Sequence, residues 1–138
     1  MTLLDAYALV AFLVGGPGAP QIGAILRRGE AAVATANLAE ALDVSQRVYG
    51  LPISRALEIL EPLFEGPLTP ILLDLDVACR AAEIRARYYD RSSRPISLAD
   101  AVLVASAKRG DQIATADPDV LAVADAEGLG LVTLPGQG

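Results

Sequence analysis

A chain of 138 residues has the size of one globular domain, and 53% hydrophobic with 20% charged residues excludes a disordered polypeptide. No apolar run approaches the roughly 20 residues needed to span a bilayer, and the apolar amino end has no basic leader and is interrupted by Asp5; a soluble, cytoplasmic domain over 1–138 is expected, without membrane association or a signal peptide. A lone cysteine, Cys79, and no histidine exclude an intrachain disulfide and a conventional zinc site, while a formal charge of −6 argues against the strongly basic surface of many nucleic-acid binders.

In chain order, Leu3-Leu4 before Asp5 reads as a short buried strand, and AYALVAFLVG has the apolar density of a helix packed on a sheet. Gly15, Gly16, Pro17 and Gly18 stop that helix, residues 19–28 form a second short one, and Gly29 with Glu30 turn the chain into a strand at AAVA. From Thr35 helical spacing resumes, with Leu38, Ala41, Leu42 and Val44 on an apolar stripe and Glu40 pointing elsewhere; Asn37 is available to cap this helix. SRALEILEPLFEG supplies another helix with Leu57, Leu60 and Phe64 on a shared side, bounded by Pro67 and Pro70. ILLD is a third strand candidate, and Asp76 is placed to cap the long helix VACRAAEIRARYYDR, with Asp74 as a loop acid. Ser97 is a natural N-cap for the apolar helix carrying Leu98, Val102, Val104 and Ala105, with Asp100 in its first turn. Strands at Gln112–Thr115 and Gly130–Thr133 flank a short helix after Asp117. Short apolar strands alternating with longer helices predict an α/β fold, a three-layer α/β/α sandwich with a mostly parallel sheet.

Ligands of open α/β sheets bind beyond the carboxyl ends of the strands. Asp5 and Asp117 each follow a strand, so both face that crevice; Glu40 lies early in the helix after the second strand, and Asp100 at a helix start whose free amides favour negative charge. Each has an ordinary reading as well: a strand-end acid, an exposed helix glutamate, a first-turn acid and a helix cap. Together they repel one another unless cations neutralise them, and an oxygen-rich site without histidine or cysteine suits magnesium or manganese. Thr115 is positioned to orient Asp117 or a water, and Asp43 to share the exposed face of the Glu40 helix. No glycine-rich phosphate loop is present in the sequence, which argues against nucleotide hydrolysis by that route.

These segments, LLDAYAL, TANLAEAL, ISLADAVLVASA and IATADPDVL, resemble in order and placement the acidic elements of PIN-domain ribonucleases, in particular the VapC toxin of a VapBC toxin–antitoxin pair. The resemblance covers almost the whole chain and implies a five-stranded sheet in order 3-2-1-4-5, endoribonuclease activity dependent on Mg2+ or Mn2+, homodimerisation and inhibition by a cognate VapB-type antitoxin. It places Asp5, Glu40, Asp100 and Asp117 as catalytic and metal-binding residues, with Asp119 as an additional, secondary metal ligand. Structured RNA such as transfer RNA is a substrate class of many such toxins, although no residue here identifies one. With Lys108 the only lysine among ten arginines, phosphate contacts would fall to arginine, and Arg80, Arg85, Arg87, Arg91 and Arg94 are candidates for a rim. The expected mechanism is hydrolysis by a water whose pKa is lowered at one or two ions, with Glu40 positioning it. The alternatives are a structure-specific DNA nuclease and a noncatalytic PIN-like domain that binds protein or RNA.

Overall fold

The computed structural model describes residues 1–136. Its five strands, β1 (Thr2–Leu4), β2 (Ala31–Ala34), β3 (Leu68–Ile71), β4 (Gln112–Thr115) and β5 (Gly130–Thr133), form one sheet in the order β3-β2-β1-β4-β5, and every neighbouring pair is parallel. The helices are α1 (Ala6–Val14), α2 (Ala19–Arg27), α3 (Thr35–Arg47), α4 (Ile53–Phe64), α5 (Leu75–Tyr88), α6 (Leu98–Ser106) and α7 (Pro118–Ala126). The expected strand order and sandwich are therefore observed. Among the described residues no single helix is long and apolar enough to cross a membrane.

The inner strands β1, β2 and β4 are largely apolar and buried because alternate residues enter different cores. Leu3, Ala32 and Ile113 pack with α5, α6 and α7 through Val77, Leu103 and Val123, whereas Leu4, Val33 and Ala114 pack on the other side with Leu9, Ile22, Ile25 and Leu60. Helix α6 is buried from Ala101 to Ser106, which explains its nearly continuous apolar sequence.

Several expectations need correction. The third strand is Leu68–Ile71, not ILLD, and it contains Pro70. It pairs only with β2, and an edge strand has one unpaired side on which a residue without an N–H is tolerated. Because the chain leaves the sheet at Ile71, Leu72 and Leu73 are exposed and α5 starts at Leu75. Its cap is Asp74, whose Oδ1 accepts the Val77 N–H at 2.8 Å, while Asp76 in the first turn pairs with Arg80 at 3.3 Å.

On α3 the buried stripe is Asn37, Ala41 and Ser45, spaced four apart; Leu38, Leu42 and Val44 are only partly buried. Asn37 lies inside the helix rather than capping it, since the helix begins at Thr35. On α4, Ala56 and Leu60 are fully buried, Leu63 and Phe64 are partly so, and Leu57 is 36% exposed beside exposed Ile53. The i, i+4, i+7 stripe through Ala56 meets the core and leaves Leu57 at its margin.

Leu60→Ala should accordingly lower unfolding free energy by about 2–5 kcal/mol in urea titrations, the cost of a cavity at a fully buried leucine. Leu57→Ala should cost less than about 1 kcal/mol. Equal losses would place Leu57 in the core.

Candidate active site

In an all-parallel sheet the carboxyl ends of the strands share one edge, and helices that follow directly begin there. β1 delivers Asp5 as the N-cap of α1, its Oδ1 accepting the Ala8 N–H at 2.7 Å. β4 delivers Asp117 as the N-cap of α7, its Oδ1 accepting the Asp119 N–H at 2.9 Å. Asp100 belongs to a reciprocal cap on α6: Ser97 Oγ accepts the Asp100 N–H at 3.0 Å, and Asp100 Oδ2 accepts the Ser97 N–H at 2.9 Å. β2 leads straight into α3, whose second turn carries Glu40. The four acids line one open cavity of about 350 Å³ together with Ala6, Tyr7, Asn37, Ala116 and Gly136. Asp119 is not among its walls and sits beside Asp117 in the first turn of α7.

Two further residues tie this site together. Thr115 is fully buried; its hydroxyl donates to Asp5 Oδ2 at 2.5 Å and accepts the Asp117 N–H at 3.1 Å, so one side chain fixes the spacing of two acids. The hydroxyl therefore orients Asp117 through its backbone N–H, as its place two residues earlier suggests, and makes its shorter bond to Asp5, which is distant in sequence. Asn37 is 1% exposed, donates through Nδ2 to the Ala99 carbonyl at 3.3 Å, and has no partner for Oδ1.

Burial dominates the electrostatics. It pushes the Asp5 carboxyl up to about 6, against the stabilising donors Thr115 and Ala8, with Asp100 and Asp117 adding repulsion. Asp100 is raised by burial and then by Asp117 and Asp119, against the pull of Ser97. Glu40 is exposed as a residue, yet burial of its carboxyl and repulsion from Asp100 and Asp43 raise its pKa too. Asp43 itself pairs with Arg47 at 3.1 Å on the outer face of α3.

The donor set is all oxygen, the chemistry of a hard divalent cation. Among the described residues no three acids stand in position to ligate one ion directly. Asp5, Asp100 and Asp117 each turn an oxygen to a helix N–H. The residues nevertheless fit an ion such as Mg2+, which keeps several waters and takes one or two carboxylates. The cavity has room for those waters, and its walls include Asn37, whose buried Oδ1 is unpartnered.

The expected arginine rim is not built around this cavity, whose walls contain no arginine or lysine among the described residues. Arg80 pairs with Asp76, and Arg87 with Glu127 at 3.1 Å. Arg85 donates to the Ile96 carbonyl at 3.1 Å and lies 4.4 Å from the centre of the Tyr89 ring, and Arg94 lies over Tyr88. Arg80 and Arg87 line, with Lys108 and Arg109, a second cavity at the carboxyl end of α6.

Asp5 generates a pH test. Its folded pKa of about 6 lies above its ordinary 3.8, so between these values the folded state holds more proton than the unfolded state, and the metal-free protein should lose stability as pH rises through that window. The loss is at most about 3 kcal/mol. Asp5→Asn should flatten this slope in urea titrations at pH 4 to 7, and an unchanged slope would remove Asp5 as its source.

No curated protein sequence matches the chain significantly. Among solved structures, a chain of FitAcB from Neisseria gonorrhoeae is 27% identical with a TM-score of 0.63, covering 96% of this chain and 97% of that one. A chain of DNA-bound VapBC from Salmonella typhimurium is 18% identical with a TM-score of 0.70 over 96% of each chain. A chain of VapBC2 from Rickettsia felis, bound to a DNA fragment from the promoter, is 13% identical with a TM-score of 0.69 over 97% of this chain and 98% of that one. The PIN domain family model matches residues 2–126, a span that holds all four acids of the cavity, and the chain therefore belongs to the PIN-domain family.

Proposed function

We propose that residues 1–138 act as a single cytoplasmic nuclease domain, an endoribonuclease toxin that requires Mg2+ or Mn2+, acts as a homodimer and is held inactive by a VapB-type antitoxin. The observation that carries this reading is the convergence of Asp5, Glu40, Asp100 and Asp117 on one open cavity at the carboxyl edge of a parallel sheet. Its likeness to chains of VapBC and FitAcB structures supports the toxin–antitoxin assignment.

A divalent cation held by Asp5, Asp100 and Asp117, directly or through its waters, with Asp119 in support from outside the cavity wall, would supply positive charge to the phosphate and lower the pKa of a water nucleophile. The protein's own groups divide the remaining work. Asp5, fixed by Ala8 and Thr115, is the rigid anchor of the site. Glu40 is solvent-exposed; it orients the attacking water and takes its proton. The chain has no histidine, so a carboxylate is the available proton acceptor. Water oxygen bonds to phosphorus as the bond to the 3′-oxygen breaks, and the leaving 3′-oxygen takes a proton from solvent, giving a 5′-phosphate and a 3′-hydroxyl.

Asp5→Asn, Glu40→Gln, Asp100→Asn and Asp117→Asn should each lower RNA turnover by about 100-fold or more in metal-titrated assays while staying folded, with Asp119→Asn milder than Asp117→Asn. Parental turnover in the purified variants would reject the site, and a cyclic 2′,3′-phosphate product would reject the mechanism. Matched RNA and DNA hairpins distinguish the RNase from a DNA nuclease, which would cut the DNA at least as fast.

The antitoxin surface is assigned to the apolar face bordering the acids. Tyr7 and Val10 of α1 and Val44 of α3 line a pocket that also contains Glu40, and Val14, Pro17 and Tyr49 extend the same face. On α4, Ile53 and Leu57 are exposed apolar side chains as well. A segment lying there is placed to present an arginine to the neighbouring carboxylates, where its planar donor fork engages two oxygens. Hydrogen exchange of the complex should show new protection in α1 and α4, and neutralising one basic residue of the antitoxin segment should weaken inhibition and alter its Mn2+ dependence. Protection confined to α5 would remove the placement, and inhibition unchanged by every neutralisation would leave steric cover as the better account.

A further inference from the structure

Asn37 is costly where it stands. Asparagine is a modest helix former, and an amide buried to 1% exposure loses its water. In return it makes a single bond of 3.3 Å to the Ala99 carbonyl, and its Oδ1 is left without a donor. An apolar side chain would fill a purely structural position at lower cost. The amide lies between two of the acids: Glu40 is one turn further along α3, on the adjoining face, and Ala99 immediately precedes Asp100. Since Ala99 O can only accept, Nδ2 must face it, so Oδ1 is the atom left over. Ionised Glu40 and Asp100 offer no proton to an acceptor. Asn37 belongs to the wall of the acidic cavity, so the missing donor comes from what that cavity holds.

We infer that Asn37 is a positioning residue: its Oδ1 accepts a hydrogen bond from the hydration water of the divalent cation bound in the acidic cavity, while its Nδ2 ties α3 to the start of α6. The inference rests on the cation dependence proposed above. An outer acceptor of this kind strengthens cation uptake without adding a fifth negative charge to a crowded site.

The test is calorimetric titration of Mn2+ into parental protein, Asn37→Leu and Asn37→Asp without RNA, with thermal melting of each metal-free form. The leucine variant should bind Mn2+ about tenfold more weakly while its metal-free melting temperature stays at or above the parental one. The aspartate variant keeps an acceptor oxygen and adds charge; it should bind Mn2+ at least as tightly as parental and melt lower without metal. A loss below about threefold in the leucine variant overturns the inference and leaves Asn37 as a clip between two helices. Should that variant fail to fold, the aspartate variant decides, and weakened Mn2+ binding there overturns it equally. A parental protein with no saturable Mn2+ site sinks the proposed cation dependence and this inference together, whereas a parental site that survives Asn37→Leu sinks the inference alone.

Discussion

Everything at the site depends on holding carboxylates together at one sheet edge despite their mutual repulsion. A parallel sheet aligns the strand ends, and the helices that start there bring free N–H groups to the place where charge accumulates. Three of the four acids use those groups: Asp5 and Asp117 are N-caps, and Asp100 closes a reciprocal cap with Ser97. A side-chain cap contributes about 1 kcal/mol, so each acid is tied to the fold as well as to chemistry. The donors do not win everywhere. Asp5 receives two hydrogen bonds and is still pushed up to about 6, so desolvation exceeds what Ala8 and Thr115 return. Without a counter-charge the site is therefore a store of unfavourable electrostatic energy, which positive charge entering the cavity relieves.

Much of this architecture was legible in the residues because β1, β2 and β4 are short apolar segments ending directly at an acid or at a helix start. Asp5 after Leu4 and Asp117 after Thr115-Ala116 need no long-range information to be placed at the carboxyl edge. Ser97 and Asp100 likewise declare a local cap. The third strand was less visible since Pro70 argues against a strand until its edge position is known, and moving its end from Asp74 back to Ile71 shifts the helix cap from Asp76 to Asp74 and puts Asp76 in the first turn. The face of α4 was ambiguous because Ala56, Leu57, Leu60 and Phe64 admit two neighbouring stripes, and the packing partner decides between them. Asn37 was hardest to read: a polar residue two positions into a helix looks like a cap, and only the approach of Ala99 from a distant segment shows that it is enclosed.

The same distinction governs the arginines. In sequence they form a dense basic series from Arg80 to Arg94, which invites a phosphate-binding role. In the structure Arg80 and Arg87 pair with acids, Arg85 holds the Ile96 carbonyl, and Arg85 and Arg94 lie against tyrosine rings. These contacts secure α5 and the segment leading to α6, and through it the position of Asp100. A phosphate entering the acidic cavity meets no basic side chain in its walls among the described residues. Under the proposed function, substrate and cation binding must then be strongly linked: the cation relieves the repulsion between the acids and the phosphate, the bound phosphate adds attraction for the cation, and the cation contributes to holding the phosphate as well as to cutting it. A net charge of −6 is consistent with such a design, because attraction for RNA is concentrated at an ion instead of spread over the surface.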